Sequence, residues 1–376
     1  AFRPTTQDFF NVISVLEASE NPDNSIHMLS ILSDQREIFM NGIEDVRPDV
    51  DTINCVLRVL SSSRERGVDK RASQVFQSLS DFNIQPDEET YSMIIPLLAR
   101  SRERGAPERA EKLLREAVEI FPPRMVNGVP AGISSDVFNV VVTAYAKSKG
   151  DDGPDKAQDL IVFMDTVDAE NGSLGVCNPS IRTFTSLIDA YAQQNDWFAV
   201  CEADKVLNRL LEHYMDGNED LEPNIATWTI VMSAWARLSR NNRHGAAERA
   251  ARLLKRMEDL HGSGRISCKP DAIAYVTCMN ACAFAKEGEG AAEAERILRE
   301  MNEFYLDGDD SMKPSVRSIK VCVESLIKAN NMDGVEGLID DFEEYLLDDE
   351  STEALKDVYG SILIGCAKMG NPSKAS

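Results

Sequence analysis

The sequence is poor in several residue types, and each shortage excludes a class of protein. Aromatic residues make up 7% of the 376 residues, and histidine occurs only four times. No apolar run approaches the roughly 18 to 20 residues that a membrane-spanning helix needs. Basic residues number 40 against 63 acidic ones, which gives a formal net charge of −23. This charge argues against a membrane-surface protein and against a general DNA-binding protein.

The cysteines and histidines form no pattern typical of a disulfide framework or a zinc site. The eight cysteines include five that lie inside apolar runs, where cysteine behaves as a small hydrophobic residue. These are Cys55, Cys278, Cys282, Cys322 and Cys366. The four histidines are scattered along the chain, so a structural zinc site lacks its four ligands. We expect reduced, buried thiols, an intracellular compartment, no metal and no cofactor.

A recurring anchor residue marks internal repeats along the whole chain. An aromatic or apolar anchor recurs nine times, at intervals of 38 to 47 residues. The anchors are Phe10, Ile53, Tyr91, Phe138, Phe184, Trp228, Tyr275, Ile319 and Tyr359. Apolar residues follow the anchors at +3, +4 and +7, as Val231, Met232 and Trp235 follow Trp228. This spacing is that of an amphipathic helix with one buried face.

A second helix follows each anchor helix and opens with a small residue. In five repeats an alanine lies 19 residues after the anchor and is followed by an apolar pair. These alanines are Ala72, Ala110, Ala157, Ala203 and Ala294. One helix pair cannot bury its apolar face alone, so successive pairs must stack. We therefore predict an all-α fold, a right-handed α-solenoid or superhelix of about eight stacked antiparallel helix pairs, with no β-sheet.

The prediction assigns residues 1–376 to a single solenoid. Its repeats vary in length mainly because the loops between helix pairs vary. The approximate repeats are 7–49, 50–87, 88–134, 135–180, 181–224, 225–271, 272–315, 316–355 and a partial repeat at 356–376.

The residue pattern of the repeats resembles the pentatricopeptide repeat. Units open with a Thr-Tyr-Asn-like phrase, pass through Ala-Tyr-Ala-Lys at residues 144–147, and close with Pro-Asp, as at Pro86-Asp87 and Pro270-Asp271. Residues 91–100 and 183–192 are particularly similar to the family pattern, and the resemblance runs from about Gln7 to Ser376. It implies a mitochondrial or plastid location and binding of single-stranded RNA, one base per repeat. It implies neither a membrane nor a small-molecule substrate.

The resemblance also implies which residues read the bases. In the family, the residue after the anchor and the residue closing the repeat contact one base together. The corresponding pairs here are Asn11 with Asp49, Asn54 with Asp87, Ser92 with Ser134, Asn139 with Ser180, Thr185 with Asn224 and Thr229 with Asp271. All twelve of these side chains can hydrogen-bond a base edge. The family's pairing habit then implies a site reading 5′-UU-any-CAG-3′.

Basic residues recur nine positions after the anchors, where the family places cations that contact phosphates. They are Arg100, Lys147, Arg237, Lys328 and Lys368. Cations also suit a helix C-terminus, so dipole stabilisation alone would produce the same pattern. Two residues before the anchor, where the family has an apolar base clamp, this chain often has an acid, as at Asp8, Asp51, Glu89, Asp136 and Asp357. Ile273 alone keeps an apolar side chain of that kind.

Two other functions compete with RNA binding. The acidic charge and the acidic first turns would suit a protein-binding scaffold. An enzyme would need a cluster of carboxylates for a metal, and the acidic run at residues 340–353 is the one dense candidate. Its charges alternate with apolar residues at helical spacing, which favours a solvated helix face, and no phosphate loop or nucleophile motif is present. We predict that the chain is not an enzyme.

Overall fold

A computed structural model of the chain describes residues 4–19, 24–63, 65–148, 150, 152–241, 243–286, 289–348, 356 and 358–364. The chain divides into two compact units, Ala1–Thr183 and Phe184–Ser376. Each unit is built from helix pairs, in which a first helix carries the anchor and a second helix returns beside it.

The described part of the first unit contains the helices α1 to α8. Odd-numbered helices are the first members of their pairs and carry the anchors. Their bounds are α1 Thr6–Ala18, α2 Asn24–Met40, α3 Val50–Ser62, α4 Val68–Asp81, α5 Glu88–Ala99, α6 Ala106–Ile120, α7 Ser135–Ala146 and α8 Gly153–Glu170.

The second unit continues the same arrangement. Its helix α9 begins just before the boundary between the units, and short 3₁₀ turns precede α11 and α15. The bounds are α9 Ile181–Gln193, α10 Trp197–Met215, α11 Ile225–Arg240, α12 Ala246–Gly262, α13 Ala272–Ala283, α14 Ala291–Leu306, α15 Val316–Lys328 and α16 Met332–Asp348.

First helices of successive pairs pack directly on one another. In the first unit α3 lies between α1 and α5, and α5 also packs on α7. In the second unit α13 lies between α11 and α15. The second helices α2, α4, α6, α8, α12, α14 and α16 pack on their own first helices, and α12 also packs on the next first helix, α13. This stacking of helix pairs confirms the predicted all-α solenoid class.

The anchors form the core of the stack. Seven of the nine are at most 2% exposed, and Ala110 and Ala203 are fully buried. These alanines lie inside α6 and α10 and not at the helix starts, which are Ala106 and Trp197. An aromatic side chain removes roughly 150–250 Å² from water, an upper estimate of about 4–6 kcal/mol each. The two outermost anchors differ, since Phe10 is half-buried and Tyr359 is 45% exposed.

One element departs from the predicted absence of β-structure. A two-stranded antiparallel hairpin, β1 Arg124–Val126 and β2 Val129–Ala131, lies between α6 and α7. Its turn is Asn127-Gly128, and both residues have positive φ, 53° and 80°. Such a turn matches the twist of a hairpin and favours Asn-Gly. The prediction of no β-sheet is therefore wrong here.

The cysteines and the acidic run at the end of the chain follow the sequence expectations where the structure describes them. Cys55, Cys278, Cys282 and Cys322 are buried free thiols, while Cys366 lies outside the described residues. On α16, Asp340, Asp341 and Glu343 are exposed and Phe342 is buried. Residues 349–353 lie outside the description.

Membrane-spanning helices and metal-binding clusters are both absent from the described residues. Among those residues no helix is long and apolar enough to cross a membrane. Nor does the described part of the chain hold a group of three or more His, Cys, Asp or Glu side chains placed to bind a metal ion.

Candidate nucleic-acid interface

The closing residues of the repeats lie at the N-termini of the first helices. The Asp49 and Asp87 carboxylates each accept a hydrogen bond of 2.8 Å from the backbone N–H three residues later. Asn224 and Asp271 do the same at 3.0 and 2.8 Å. Each side chain thereby satisfies one of the N–H groups that a helix start leaves without a partner. Asp49, Asp87, Asn224 and Asp271 are thus helix caps.

The structure brings the predicted pair Asn54 and Asp87 together. Asn54 Nδ2 donates to both carboxylate oxygens of Asp87, at 3.1 Å each. The Thr90 hydroxyl lies 2.8 Å from Asn54 Oδ1 and 2.7 Å from Asp87 Oδ1. Burial on its own would raise the pKa of Asp87, but hydrogen bonds from Thr90 and Asn54 outweigh it, so the pKa is lowered. Asn54 itself is only 1% exposed.

The pair Asn139 and Ser180 repeats this arrangement two repeats later. Asn139 Nδ2 donates to Ser180 Oγ at 3.1 Å, and the Thr183 hydroxyl donates to Asn139 Oδ1. Asn139 is also buried. Thr90 and Thr183, the threonines directly before the anchors, were given no role from the sequence. Their hydroxyls hydrogen-bond to Asn54 and Asn139 of the preceding repeats and so connect consecutive helix pairs. The recurrence of threonine directly before the anchors at residues 52, 90, 183 and 227 was the available signal.

Other candidates after the anchor make different contacts. The hydroxyls of Ser92 and Thr229 donate to the carbonyl oxygens of Glu88 and Ile225, four residues earlier on the same helix, at 2.8 and 2.7 Å. Such bonds within one turn leave the hydroxyl oxygen able to accept another hydrogen bond. Thr185 and Thr227 share a hydroxyl contact of 3.1 Å, and Thr227 in turn donates to Asn224 Oδ1 at 3.0 Å.

The exposed Asn11 and Ser134 complete the predicted set. Asn11 Oδ1 accepts a hydrogen bond of 3.0 Å from Gln7. Ser134 precedes α7 and follows the hairpin. The hairpin is held to the start of α5 by Glu88, which pairs with Arg124 at 2.9 Å and accepts from the Gly132 backbone N–H at 3.0 Å. These contacts place the hairpin beside the first turn of a first helix.

The predicted phosphate contacts are exposed near the ends of first helices. Arg100 and Lys147 are the residues at the C-termini of α5 and α7. Arg237 donates to the Ala192 carbonyl oxygen at 2.7 Å, and the Lys328 ammonium lies 5.6 Å from the centre of the Phe284 ring. The fifth residue of the set, Lys368, lies outside the described residues.

Some acidic residues of the first turns are held by an ion pair or hydrogen bonds within the protein, and others are exposed. Glu89 is paired with Arg58 at 2.6 Å, and Arg58 also contacts Glu17 at 2.5 Å, so one guanidinium joins three successive first helices. Asp8 caps its own helix, and hydrogen bonds from the Thr5 backbone and side chain lower its pKa. Asp51 and Asp136 are exposed, and Asp357 lies outside the described residues. Ile273 presents 63% of its surface to solvent.

A cleft in the second unit collects several predicted positions of one repeat. It encloses about 510 Å³ between α9 and α11, and we call it the α9–α11 cleft. Its walls are Ala226, Thr229, Ile230, Ser233 and Arg237 of α11 and Asp189 and Gln193 of α9. The spacing of three to four residues puts the α11 side chains on one helix face. The positions of the Trp228 repeat that the resemblance assigns to the clamp, to base reading and to phosphate contact therefore line one groove.

Comparison with known proteins bears on the repeat that begins at this cleft. Residues 182–212, which span α9 and most of α10, match the family model described as "PPR repeat". The same helix pair and capped junction recur on both sides of the match. Residues 182–212 therefore carry a pentatricopeptide repeat (PPR).

Solved structures of PPR proteins are similar to this chain over its whole length. PPR10 in complex with an 18-nucleotide psaJ RNA element is 17% identical, with a TM-score of 0.35, over 100% of this chain and 50% of that one. PPR10 from maize is 15% identical, with a TM-score of 0.32, over 99% of this chain and 58% of that one. The chain thus spans between half and three-fifths of the length of these structures. A search of curated proteins gave no match.

Proposed function

We propose that this PPR protein binds single-stranded RNA along its first helices, one base per repeat, in transcript processing, stability or translation within a mitochondrion or plastid. The α9–α11 cleft is the observation that carries the proposal. It holds a hydroxyl at the base-reading position, a small residue at the clamp position and a cation at the phosphate position. These are the three kinds of contact that a nucleotide needs from one repeat.

The geometry of the cleft supports a nucleotide more than a peptide side chain. Thr229 and Arg237 lie eight residues apart on one helix face, which is roughly 12 Å along the axis. The Thr229 oxygen retains acceptor capacity, while the Arg237 guanidinium keeps further donors beyond the one that holds Ala192. A base bound at Thr229 and a phosphate bound at Arg237 would lie along the helix, and the small side chain of Ala226 would leave room for the base.

The buried junctions of the first unit limit how its bases are read. The side-chain amides of Asn54 and Asn139 are hydrogen-bonded to other residues of the protein. The half-buried Asp87 and Ser180 are therefore the members of each pair better placed to meet a base. A carboxylate has about four acceptor sites, so Asp87 can cap its helix and still accept from the ring N–H of a uracil.

The protein-binding scaffold stays the alternative, because the Arg58 guanidinium is already paired with both Glu17 and Glu89, and this cluster on the first helices stays negative. A titration of the full chain separates the two. A fluorescent single-stranded RNA containing 5′-UUACAG-3′ is compared with scrambled RNA of equal composition at two salt concentrations. RNA binding predicts tighter binding to the first sequence and a log–log salt slope of roughly −0.7 per phosphate contact. Absence of RNA binding at low salt would overturn the proposal and favour the scaffold.

A further inference from the structure

The α9–α11 cleft contains two side chains that neither the base-reading nor the phosphate position explains. Asp189 and Ser233 each lie five residues after their anchors, Phe184 and Trp228. On α11, Ser233 is one turn beyond Thr229 and one turn before Arg237. Each turn of helix rises about 5.4 Å, so Ser233 lies midway between the two. In a nucleotide the ribose is what joins the base to the phosphate.

Asp189 is held in place with one oxygen left over. Gln193 donates to Asp189 Oδ2 at 2.7 Å, a bond between successive turns of α9. Among the described residues Oδ1 accepts no hydrogen bond, and Asp189 is one of the residues that line the cleft. Both Asp189 and Ser233 are half-buried. A carboxylate beside a phosphate path would lower affinity for any nucleic acid unless it gained a specific hydrogen bond in return.

The same position carries acceptors in four of the five repeats of the second unit. These residues five after the anchor are Asp189, Ser233, Asn280 and Glu324, all half-buried, whereas the partial repeat of Tyr359 has Ile364 there. In the first unit the corresponding residues are Val15, Arg58, Pro96 and Thr143. Only Thr143 among these has a side-chain oxygen that can accept a hydrogen bond. The acceptor series therefore belongs to the unit that contains the cleft.

We propose that Asp189 and Ser233 recognise the ribose 2′-hydroxyl and make the second unit select RNA over DNA. The 2′-hydroxyl is a donor as well as an acceptor, and it is the group that distinguishes the two nucleic acids. It would donate to Asp189 Oδ1 in a charge-assisted hydrogen bond and accept from Ser233. This inference rests on the proposed RNA binding but assigns a separate role to separate residues.

The test compares matched oligonucleotides on the full-length chain. The probes are single-stranded RNA containing 5′-UUACAG-3′, the DNA of the same sequence with thymine for uracil, and RNA that is 2′-deoxy only at the final A and G. The variants are Asp189→Leu with Ser233→Ala, which removes the acceptor at Asp189 and the donor at Ser233, and Asp189→Asn, which removes the charge but keeps an acceptor. Circular dichroism and thermal melting establish that each variant is folded.

The wild type should prefer RNA to DNA by roughly tenfold, and the doubly deoxy RNA should lose most of that preference. The double variant should bind RNA more weakly and DNA at least as well, while Asp189→Asn should keep a clear preference for RNA. Equal binding of RNA and DNA by the wild type, or an unchanged preference in the double variant, would overturn the inference while leaving RNA binding intact. Failure of the wild type to bind any RNA would instead overturn the proposed function, and this inference with it.

Discussion

The Thr90 hydroxyl lies 2.8 Å from Asn54 Oδ1 and so joins two consecutive helix pairs through their buried polar side chains. Thr90 is fully buried and Asn54 almost so. Buried polar groups need partners, and a change that removes one partner leaves the other unpaired. The position that the sequence resemblance assigns to base recognition is here a structural junction, so substitutions in it are expected to change stability as well as any RNA binding.

Thr90→Val should destabilise the first unit. Valine keeps the shape of threonine but removes the hydroxyl that Asn54 and Asp87 share, so we expect a loss of about 1–3 kcal/mol in the free energy of unfolding. Urea unfolding followed by helical circular dichroism measures it. The matched control is Thr166→Val, whose exposed hydroxyl bonds only to the Val162 carbonyl of its own helix. Equal losses in both variants would show that the junction contributes no special stability.

Acid should weaken the Asp87 junction in a defined direction. The pKa of Asp87 is lowered in the folded chain, so its contribution is fully present above the unfolded value near 3.8. The contribution is lost as the pH falls from there through the folded pKa. Unfolding free energies measured between pH 5 and pH 3 should therefore fall more steeply for the wild type than for Asp87→Asn.

Asp136→Asn is the control for this pH series, since Asp136 is an exposed acid in the first turn of α7. Its curve should follow that of the wild type more closely than the Asp87→Asn curve does. If Asp87→Asn retains the full acid dependence, the carboxylate does not stabilise the junction in the folded state.

Replacing the cations of the first helices should weaken RNA binding without changing its sequence preference. In the variant, Arg100, Lys147, Arg237 and Lys328 all become serine. The log–log salt slope should become shallower by about 0.7 for each phosphate that no longer meets a cation. Filter binding at several salt concentrations measures both quantities.

A charge-matched control removes four exposed cations from the second helices, namely Lys112, Lys205, Arg252 and Lys255. It lowers the net charge by the same amount, so a general electrostatic effect would act on both variants equally. If the two variants show the same slope, Arg100, Lys147, Arg237 and Lys328 serve the helix termini and not the RNA.

The stack of helix pairs could be predicted because the helical period and the distance from anchor to alanine can both be read within one repeat of the sequence. Tyr91 and Ala110 stand at a fixed distance in the sequence and both are buried. The use of Asn54 inside the protein could not be predicted, since it depends on a bond to Asp87 across a variable loop. The bridging of Glu17 and Glu89 by Arg58 is equally non-local.

The hairpin between α6 and α7 is a different case, because its signal was present. Asn127-Gly128 is flanked by Val126 and Val129, which is typical of a tight hairpin turn. The hairpin was not predicted because the sequences on both sides of it have a strong helical period. The acceptors at Asp189 and Ser233 also escaped notice, since polar residues on a helix face are ordinary until a cleft is found between them.

The base at the Thr185 repeat should change identity when Asn224 becomes Asp. In the family's pairing habit, threonine with asparagine goes with A, and threonine with aspartate goes with G. The chemistry agrees, since the Asn224 amide can donate to the ring nitrogen of adenine, whereas a carboxylate accepts from the ring N–H of guanine. Asp is also as good a helix cap as Asn, so the hydrogen bond to the Thr227 backbone N–H should survive the substitution.

Affinities for RNAs with A, C, G or U at that position measure the change. The wild type should prefer A, and Asn224→Asp should shift the preference towards G by roughly tenfold, the discrimination expected from one hydrogen bond to a charged group. The reciprocal control, Asp271→Asn with Thr229 kept, should move the next base from G to A and leave the first unchanged. If Asn224→Asp still prefers A, or if the wild type binds all four RNAs alike, Asn224 caps α11 without reading a base and the protein-binding scaffold becomes the better explanation of the chain.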